Sequence, residues 1–529
     1  MAHSPLKDLP LGIQTFDLLI QENCLYVDKT EPIYHLARKR GRYFLSRPRR
    51  FGKSLLISTF EALFQGKREL FKDLWIDSSN YSWGKYPVIT LDFSGFDSSS
   101  QDSLKTDLVA RLGDIAQAYD VQFATDEMPQ IRMSPSRALT VLIKNLCAKT
   151  GKRVVVLVDE YDYPILKHLT NQALRDPIHE FLKGFYTALK SMDRSLYFFF
   201  VTGVSKFSKT SLFSGFNNLT DLTLDERSAH LLGYTETELD CYFTGWIAAA
   251  AQKCNMPVGE IRDKMRLWYN GYRFSYVPIK VYNPFSVLNF LDVCQFLNFW
   301  FVSGTPTFLM QLMKEGNYAL NDIESVRMGA LDFEAVEIDQ LKLELVLFQT
   351  GYITIVDYAK DSGAYTLAYP NEEVRTAFCF AFVDYFANMK YQDLKDQATG
   401  LRKALEIGDT EQFFARLRTF FAGIPYNIQL PLEKYYQSML LAVLQFIGID
   451  AHAEVCTNQG RIDVTIETKK QVYIIECKVD APCAIALEQI RAKKYYEPYL
   501  HTGKQIVLIG LVFDTKARTL GECLVEALD

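Results

Sequence analysis

Three side chains near the C-terminus have the types and spacing of a hydrolytic site. Asp463 follows Arg461-Ile462, and after twelve further residues comes Glu476-Cys477-Lys478, closing the apolar run Val472-Tyr473-Ile474-Ile475. Side chains alternate along a strand, so Glu476 and Lys478 share one face. A polar turn at Thr468–Gln471 lets Asp463 lie alongside. Asp463 and Glu476 would bind Mg²⁺ or Mn²⁺, hard ions that prefer oxygen ligands, with the Cys477 carbonyl as a further ligand. Lys478 would position the attacking water or stabilise charge building on phosphorus. So apolar a strand is a poor exposed edge, and acids at its end need a partner or a metal. A purely structural ion pair is the alternative.

A second constellation lies near the N-terminus. Ser46-Arg47-Pro48-Arg49-Arg50-Phe51-Gly52-Lys53-Ser54 joins a candidate strand to an amphipathic helix. A phosphate-binding loop reads G-x-x-x-x-G-K-[ST] in this setting. Its backbone N–H groups cradle phosphates, its lysine reaches the terminal phosphates and its hydroxyl holds Mg²⁺. Gly52, Lys53 and Ser54 fit, while Arg47 stands where the first glycine belongs. Of the basic residues Arg47, Arg49 and Arg50, Arg50 is taken as the supplementary phosphate contact; a solvated loop pairing with nearby acids is the alternative. Farther on, Val154-Val155-Val156-Leu157-Val158-Asp159-Glu160 is a buried strand ending in two acids. Asp159 would hold Mg²⁺ and Glu160 would orient the attacking water, which makes ATP the expected ligand. Thr202 or Ser205, ending the next strand, either senses the terminal phosphate or simply caps the strand.

These residues need a scaffold. Over the first ~220 residues apolar strands at Tyr43–Ser46, Val88–Phe93, Val154–Asp159 and Leu196–Thr202 alternate with helical patterns. The helices are expected at Lys53–Phe64, Asp102–Tyr119, Arg137–Lys149 and Pro177–Met192. Such alternation predicts an α/β fold with a parallel sheet. The middle is aromatic and mostly helical, with short strands near Ile353–Ile355 and Tyr365–Ala368. The last ~100 residues read α-β-β-β-α-β: Glu433–Ile447, Asp450–Cys456, Arg461–Glu467, Val472–Lys478, Ala484–Leu500 and Gln505–Phe513. Helix 484–500 would aim Gln489, Tyr495 and Tyr496 at the acids, with Arg491, Lys493 and Lys494 facing a nucleic-acid backbone or solvent. The division expected is 1–225, 226–405 and 406–529.

Bulk properties narrow the classes. At 529 residues the chain suits about three domains. Its 48% hydrophobic and 23% charged residues permit packed cores and argue against disorder. A net charge of −5 leaves room only for a local basic groove. The ten cysteines form no C-x-x-C pair, so reduced thiols are expected rather than a zinc site. MAHSPLKDLPLG lacks the apolar run of a signal peptide, and the apolar stretches are too short to span a bilayer. A cytoplasmic protein without membrane contact is expected.

The chain resembles, over nearly its whole length, a bacterial family joining an AAA-ATPase-like domain to a PD-(D/E)XK-superfamily nuclease domain. The residues that carry this are Tyr26-Val27-Asp28-Lys29-Thr30, the loop 47–54, and Val158-Asp159-Glu160-Tyr161-Asp162. They continue with Tyr269-Asn270-Gly271-Tyr272, Tyr282-Asn283-Pro284, Ser303-Gly304-Thr305-Pro306 and Tyr369-Pro370-Asn371. Gly460-Arg461-Ile462-Asp463, Ile475-Glu476-Cys477-Lys478 and Ala486-Leu487-Glu488-Gln489-Ile490 complete them. The missing first loop glycine is usual in that family, and Ile462 replaces the proline of the superfamily pattern. The resemblance implies a P-loop ATPase core, a helical and winged-helix-like middle and a restriction-endonuclease-like C-terminal domain. It implies Asp463, Glu476 and Lys478 as catalytic, Gln489 as supporting and Glu433 as a further helix acid.

The function expected is an ATP-binding, ATP-regulated, metal-dependent nuclease acting on nucleic acid, DNA by preference, in defence against foreign DNA by analogy alone. A homo-oligomer or a protein partner is compatible with the sequence. The alternatives are an ATP-dependent switch whose nuclease fold only binds nucleic acid or a partner, and an interaction protein without catalysis.

Overall fold

Val154-Val155-Val156-Leu157-Val158 is fully buried along its length, as a β-branched run must be when helices cover both faces of a parallel sheet. It forms an interior strand of the N-terminal sheet in the computed structural model. The structure describes residues 6–123, 134–206, 212–213, 218–300, 307–316, 318–333, 342–424, 432–457 and 459–528. Strands β1 (Gly41–Ser46), β2 (Val88–Asp92), β3 (Val154–Asp159), β4 (Leu196–Gly203) and β5 (Thr220–Asp221) lie in the order β2-β3-β4-β1-β5. Every pairing is parallel. The expected parallel α/β core is present, with β5 as an addition too short to announce itself by periodicity.

Helices Gln101–Ala118, Pro135–Thr150 and Gln172–Ser191 share a hydrophobic core with this sheet. Helix Lys53–Phe64 packs Phe60 and Phe64 against Phe198 and Phe200 of β4. Local signals explain several ends. The Ser134 hydroxyl accepts from Arg137 N at the start of helix 135–150, and Gly151 ends it at φ +66°. One expectation fails: helix 172–191 starts five residues before Pro177 and carries that proline inside. Burial of Arg175, Ile178 and Leu182 outweighs the lost backbone bond.

The middle supplies helices Glu236–Tyr242, Thr244–Lys253, Val258–Tyr269 and Pro284–Val293, then a small sheet of β6 (Val326–Met328), β7 (Thr354–Ala359) and β8 (Ala364–Ala368) in the order β6-β8-β7. The chain divides into two compact units. One holds residues 1–299 and 327–367, the other 300–326 and 368–529.

In the second unit, helix Glu433–Phe446 precedes β9 (Asp450–Cys456), β10 (Arg461–Glu467) and β11 (Gln471–Val479). Helix Cys483–Ala492, β12 (Gln505–Asp514) and β13 (Thr519–Leu528) follow. The sheet order is β13-β12-β11-β10-β9, parallel only between β11 and β12. The α-β-β-β-α-β series is therefore as expected, extended by β13. The expected helix 484–500 stops at Ala492, and Lys494 turns the chain at φ +48°. Among the described residues no helix is long and apolar enough to cross a membrane.

Candidate functional site

β10 and β11 pair antiparallel from Glu467↔Val472 to Val464↔Ile475. Asp463 lies one residue beyond the last of these pairs, where its carboxylate Oδ2 accepts from Cys477 N at 2.7 Å. On the same strand, Lys478 Nζ donates to Glu476 Oε1 at 2.7 Å. Gln489 Nε2, from helix 483–492, donates to that oxygen as well. The structure thus brings Glu476, Lys478 and Gln489 into contact, with Asp463 bonded to the intervening residue. Glu476 is 1% exposed, and its second oxygen, Oε2, is buried without a hydrogen-bond partner.

Such an oxygen costs free energy when it carries charge. Burial pushes the Asp463 carboxyl up to about 6, against the pull of the Cys477 amide. Burial and then the Asp463 charge push Glu476 up to about 7. Burial opposes the Lys478 charge, yet the Glu476 hydrogen bond and the surrounding carboxylates outweigh it and raise its pKa. Glu433 adds its negative charge to all three; its helix packs on β10 and β11. Two raised carboxyls with an orphaned oxygen fit a hard divalent cation. Among the described residues no three His, Cys, Asp or Glu side chains gather as a metal cluster. A cation here would therefore complete its shell from backbone and water.

The structure places the tyrosines differently from expectation. Tyr495 lies beyond the helix, 2% exposed, in a core with Ile462, Val472 and Ile490; Tyr496 packs against the same cluster. A Cβ at Gly460 would come within 2.8 Å of the Tyr495 hydroxyl, so this glycine serves close packing. Arg491 pairs with Glu526, and Lys494 with Glu497 at 3.2 Å.

In the first unit, Gly52 takes φ +91° and Arg50 φ +67°. These values curl the loop before helix 53–64, whose first N–H groups lack intrahelical partners. Lys53 is 4% exposed and donates to Pro48 O at 3.1 Å. Burial lowers its pKa while Glu160, Asp159 and Asp162 raise it. Burial raises Asp159, against a hydrogen bond from Ser54 and the Lys53 charge. Burial also raises Glu160, which takes φ +48° at the end of β3. Lys53, Ser54, Asp159 and Glu160 thus lie close enough to bear on one another through charge and a hydrogen bond.

The arginines divide. Arg49 is exposed, and its charge bears on Lys53 and Glu160. The Arg50 guanidinium lies 3.9 Å from the Phe285 ring centre and donates to Phe299 O at 2.5 Å. Arg47 is 1% exposed. It donates to Ser46 O, Thr223 O, Ser228 O and Ser228 Oγ, over the Phe274 ring. Burial lowers its pKa to about 9. It is neither a solvated loop residue nor a pair for an acid, because four oxygens hold it inside. Thr202 Oγ1 donates to Leu45 O, and Ser205 is bonded to the buried Asp162 carboxylate. One hydroxyl is engaged across to β1 and the other on the Asp162 carboxylate.

Sequence reasoning did not find the small apolar pocket beside Gly52, about 70 Å³ in volume. Leu25, Val27, Ile33, Leu56, Leu232 and Pro284 line part of it. Its walls come from segments far apart in sequence, which no local pattern reveals. Other motif residues prove architectural. Lys29 Nζ pairs with Glu238 at 2.6 Å, and Asp28 accepts from Thr30 N and Trp75 N. Asn283 and Asn371 cap helices by accepting from Ser286 N and Val374 N. Ser303-Gly304-Thr305-Pro306 lies outside the described residues.

The family model described as predicted AAA-ATPase matches residues 10–213, and that of the PD-(D/E)XK nuclease superfamily matches residues 432–523. An uncharacterized protein in the vnfD 5′ region of Azotobacter chroococcum mcd 1 is 35% identical over 539 residues, covering 99% of both chains. No solved structure matches. With both domain models in order on one chain, and a relative aligned from end to end, the protein belongs to the family that joins an AAA-ATPase-like domain to a PD-(D/E)XK nuclease-superfamily domain.

Proposed function

We propose that the protein is a cytoplasmic, ATP-regulated nuclease that hydrolyses phosphodiester bonds of nucleic acid, DNA by preference, with Mg²⁺ or Mn²⁺. The observation that carries this reading is the buried, unpartnered Oε2 of Glu476 in a site holding Asp463, Lys478 and Gln489. A bound divalent ion would polarise the phosphate and make a water more acidic at neutral pH. Asp463 and Glu476 would hold it in their ionised forms. Lys478, in contact with Glu476, serves as a positive charge for the developing phosphate charge. Gln489 orients Glu476. One P–O bond forms from water and one breaks toward the sugar oxygen, which leaves with a proton from solvent.

In the same reading residues 1–225 bind ATP, 226–405 transmit its state and 406–529 cut. Gly52, Lys53 and Ser54 take the phosphates, Asp159 and Ser54 the Mg²⁺, and Glu160 the attacking water. Arg49 is the better phosphate contact on the loop than Arg50, because it is exposed and its charge bears on Lys53 and Glu160, whereas Arg50 is engaged with Phe285 and Phe299. Defence against foreign DNA remains an analogy.

The second reading is a switch whose C-terminal domain only binds nucleic acid. The Lys478–Glu476 ion pair favours it, because Lys478 partners one Glu476 oxygen without a metal. Incubation of the full chain with mixed DNA and RNA, with each ion and with or without ATP, separates the two. Cutting by the wild type and none by Glu476→Ala supports the nuclease. Equal cutting by both sinks the site assignment. Binding without cutting under every condition supports the switch.

A further inference from the structure

Strand β1 leaves the sheet at Ser46 into the loop that carries Lys53, so its start at Gly41 lies at the opposite edge of the sheet. The chain reaches that edge through Arg38-Lys39-Arg40-Gly41-Arg42, a dense run of cations in a protein whose net charge is −5. Two hollows open there, both within the first unit. One, of about 400 Å³, is lined by Lys39, Arg40, Arg42, Arg227 and Asp193. The other, of about 550 Å³, shares Lys39, Tyr43 and Arg227 with the first and adds His35, Arg38 and His230. Together they form one trough, with Lys39 and Arg227 on the shared wall.

The cations there exceed the acids that answer them. Asp193 is divided between two arginines: Nη2 of Arg40 and Nη2 of Arg42 each lie 2.7 Å from its carboxylate. The Arg42 side chain is 5% exposed, and its Nε is buried without a hydrogen-bond partner. Burial lowers the Arg42 pKa; Asp193 opposes this, while the charges of Arg40 and Arg153 add to it. Arg227 is held by Asp225 at 2.6 Å with half of its side chain exposed. Arg38 is exposed over the Tyr34 ring, and Lys39 is exposed and makes no hydrogen bond or ion pair among the described residues. Glu31 is the other acid lining the hollows, and it too is exposed. Three arginines thus draw on two carboxylates, and Arg38 and Lys39 pair with none. A further anion would relieve the repulsion on Arg42 and take up the free cations.

Guanidinium forks match the oxygens of a phosphate. A single phosphate fills one hollow, whereas successive phosphates along a strand meet hollows on both sides of Lys39 and Arg227. An acidic protein that holds a polyanion needs such a local strip of positive charge. We propose that this trough binds successive phosphates of a nucleic-acid backbone, without regard to base sequence or strandedness. The choice of a polymer over free phosphate rests on the nuclease reading, and the proposal deepens that reading by giving the ATPase-like unit a share in holding the substrate.

The test is binding of fluorescein-labelled duplex DNA to the full chain in EDTA, where cutting does not enter, over a series of salt concentrations. Wild type is compared with Lys39→Ala/Arg227→Ala, on the shared wall, and with Lys144→Ala/Lys190→Ala, two exposed lysines on helices 135–150 and 172–191. The trough variant should bind at least about tenfold more weakly, with a salt slope shallower by about 1.8, two phosphate contacts at ~0.9 each. The helix variant should match wild type. Inorganic pyrophosphate, titrated by calorimetry, is the probe for free phosphate. An unchanged slope in the trough variant overturns the proposal, as does an equal drop in both variants, which would mean diffuse charge. Loss of pyrophosphate binding with unchanged DNA binding also overturns it, in favour of a small-anion site. The expected loss of slope with no cutting by wild type under any metal would sink the nuclease reading and leave the trough standing. Metal-dependent cutting with an unchanged slope would do the reverse.

Discussion

Asp463 and Cys477 are joined by a 2.7 Å hydrogen bond from the backbone N–H of one strand to the carboxylate of the next. The bond replaces a ladder contact just past the last β10–β11 pair, so one acid both closes the hairpin and faces the candidate metal site. Asp463→Asn keeps the acceptor oxygen and removes the charge. Cutting should then fall at least about a hundredfold while the far-ultraviolet circular dichroism stays that of wild type. A fully active Asp463→Asn protein would contradict the assignment.

Proton release should accompany metal binding. Asp463 is raised to about 6 and Glu476 to about 7, and both must be ionised to hold a cation. Metal affinity, read by titration calorimetry in buffers of different ionisation heat, should climb from pH 5 to pH 8 with protons released below pH 7.

Stability of the metal-free protein runs the other way. A carboxyl raised on folding binds more protons in the native state than in the unfolded one. Its favourable contribution is full below about pH 4, the unfolded value, and is lost as pH rises through 6 and 7. Melting curves of wild type and Asp463→Asn/Glu476→Gln in EDTA should therefore diverge from pH 4 to pH 8, wild type losing more. Parallel curves would show that these carboxyls are not perturbed.

Much of this was legible in the sequence, and the reasons differ by element. β3 and the helix Lys53–Phe64 were clear because burial is continuous in one and turn-periodic in the other. β13 was not, since Glu522 and Glu526 interrupt its apolar residues and much of Thr519–Leu528 is exposed. Helix 483–492 was drawn too long because Tyr495 and Tyr496 extend its apolar pattern after the backbone has turned at Lys494. The acids and Lys478 were found from strand alternation. The positions of Arg47 and Arg50 depend on residues 223–299 and could not be read locally.

Gln489 offers a graded test of the site. It touches Glu476 and sits on a separate helix. Gln489→Ala should weaken metal binding or turnover about 10–100-fold without abolishing it, as losses of groups that orient a ligand do. A silent substitution would assign this glutamine to packing alone.

The Lys29–Glu238 pair should matter to folding. Its side chains are 11% and 17% exposed. Glu238→Ala leaves the Lys29 ammonium largely buried and should cost about 3–5 kcal/mol in urea unfolding. Lys29→Met/Glu238→Leu should recover much of that loss. If Glu238→Ala alone is neutral, the pair is solvated in solution.

Arg47, standing where other phosphate loops carry glycine, ties the loop to Thr223 and Ser228 through their carbonyls. The two stretches, more than 170 residues apart in the chain, can be inherited only together. A chimera that transplants a glycine-bearing loop from another ATPase would restore the familiar motif and strip the distant segment of its anchor. The departure from consensus is a splice between the grip on phosphate and the chain that follows the sheet.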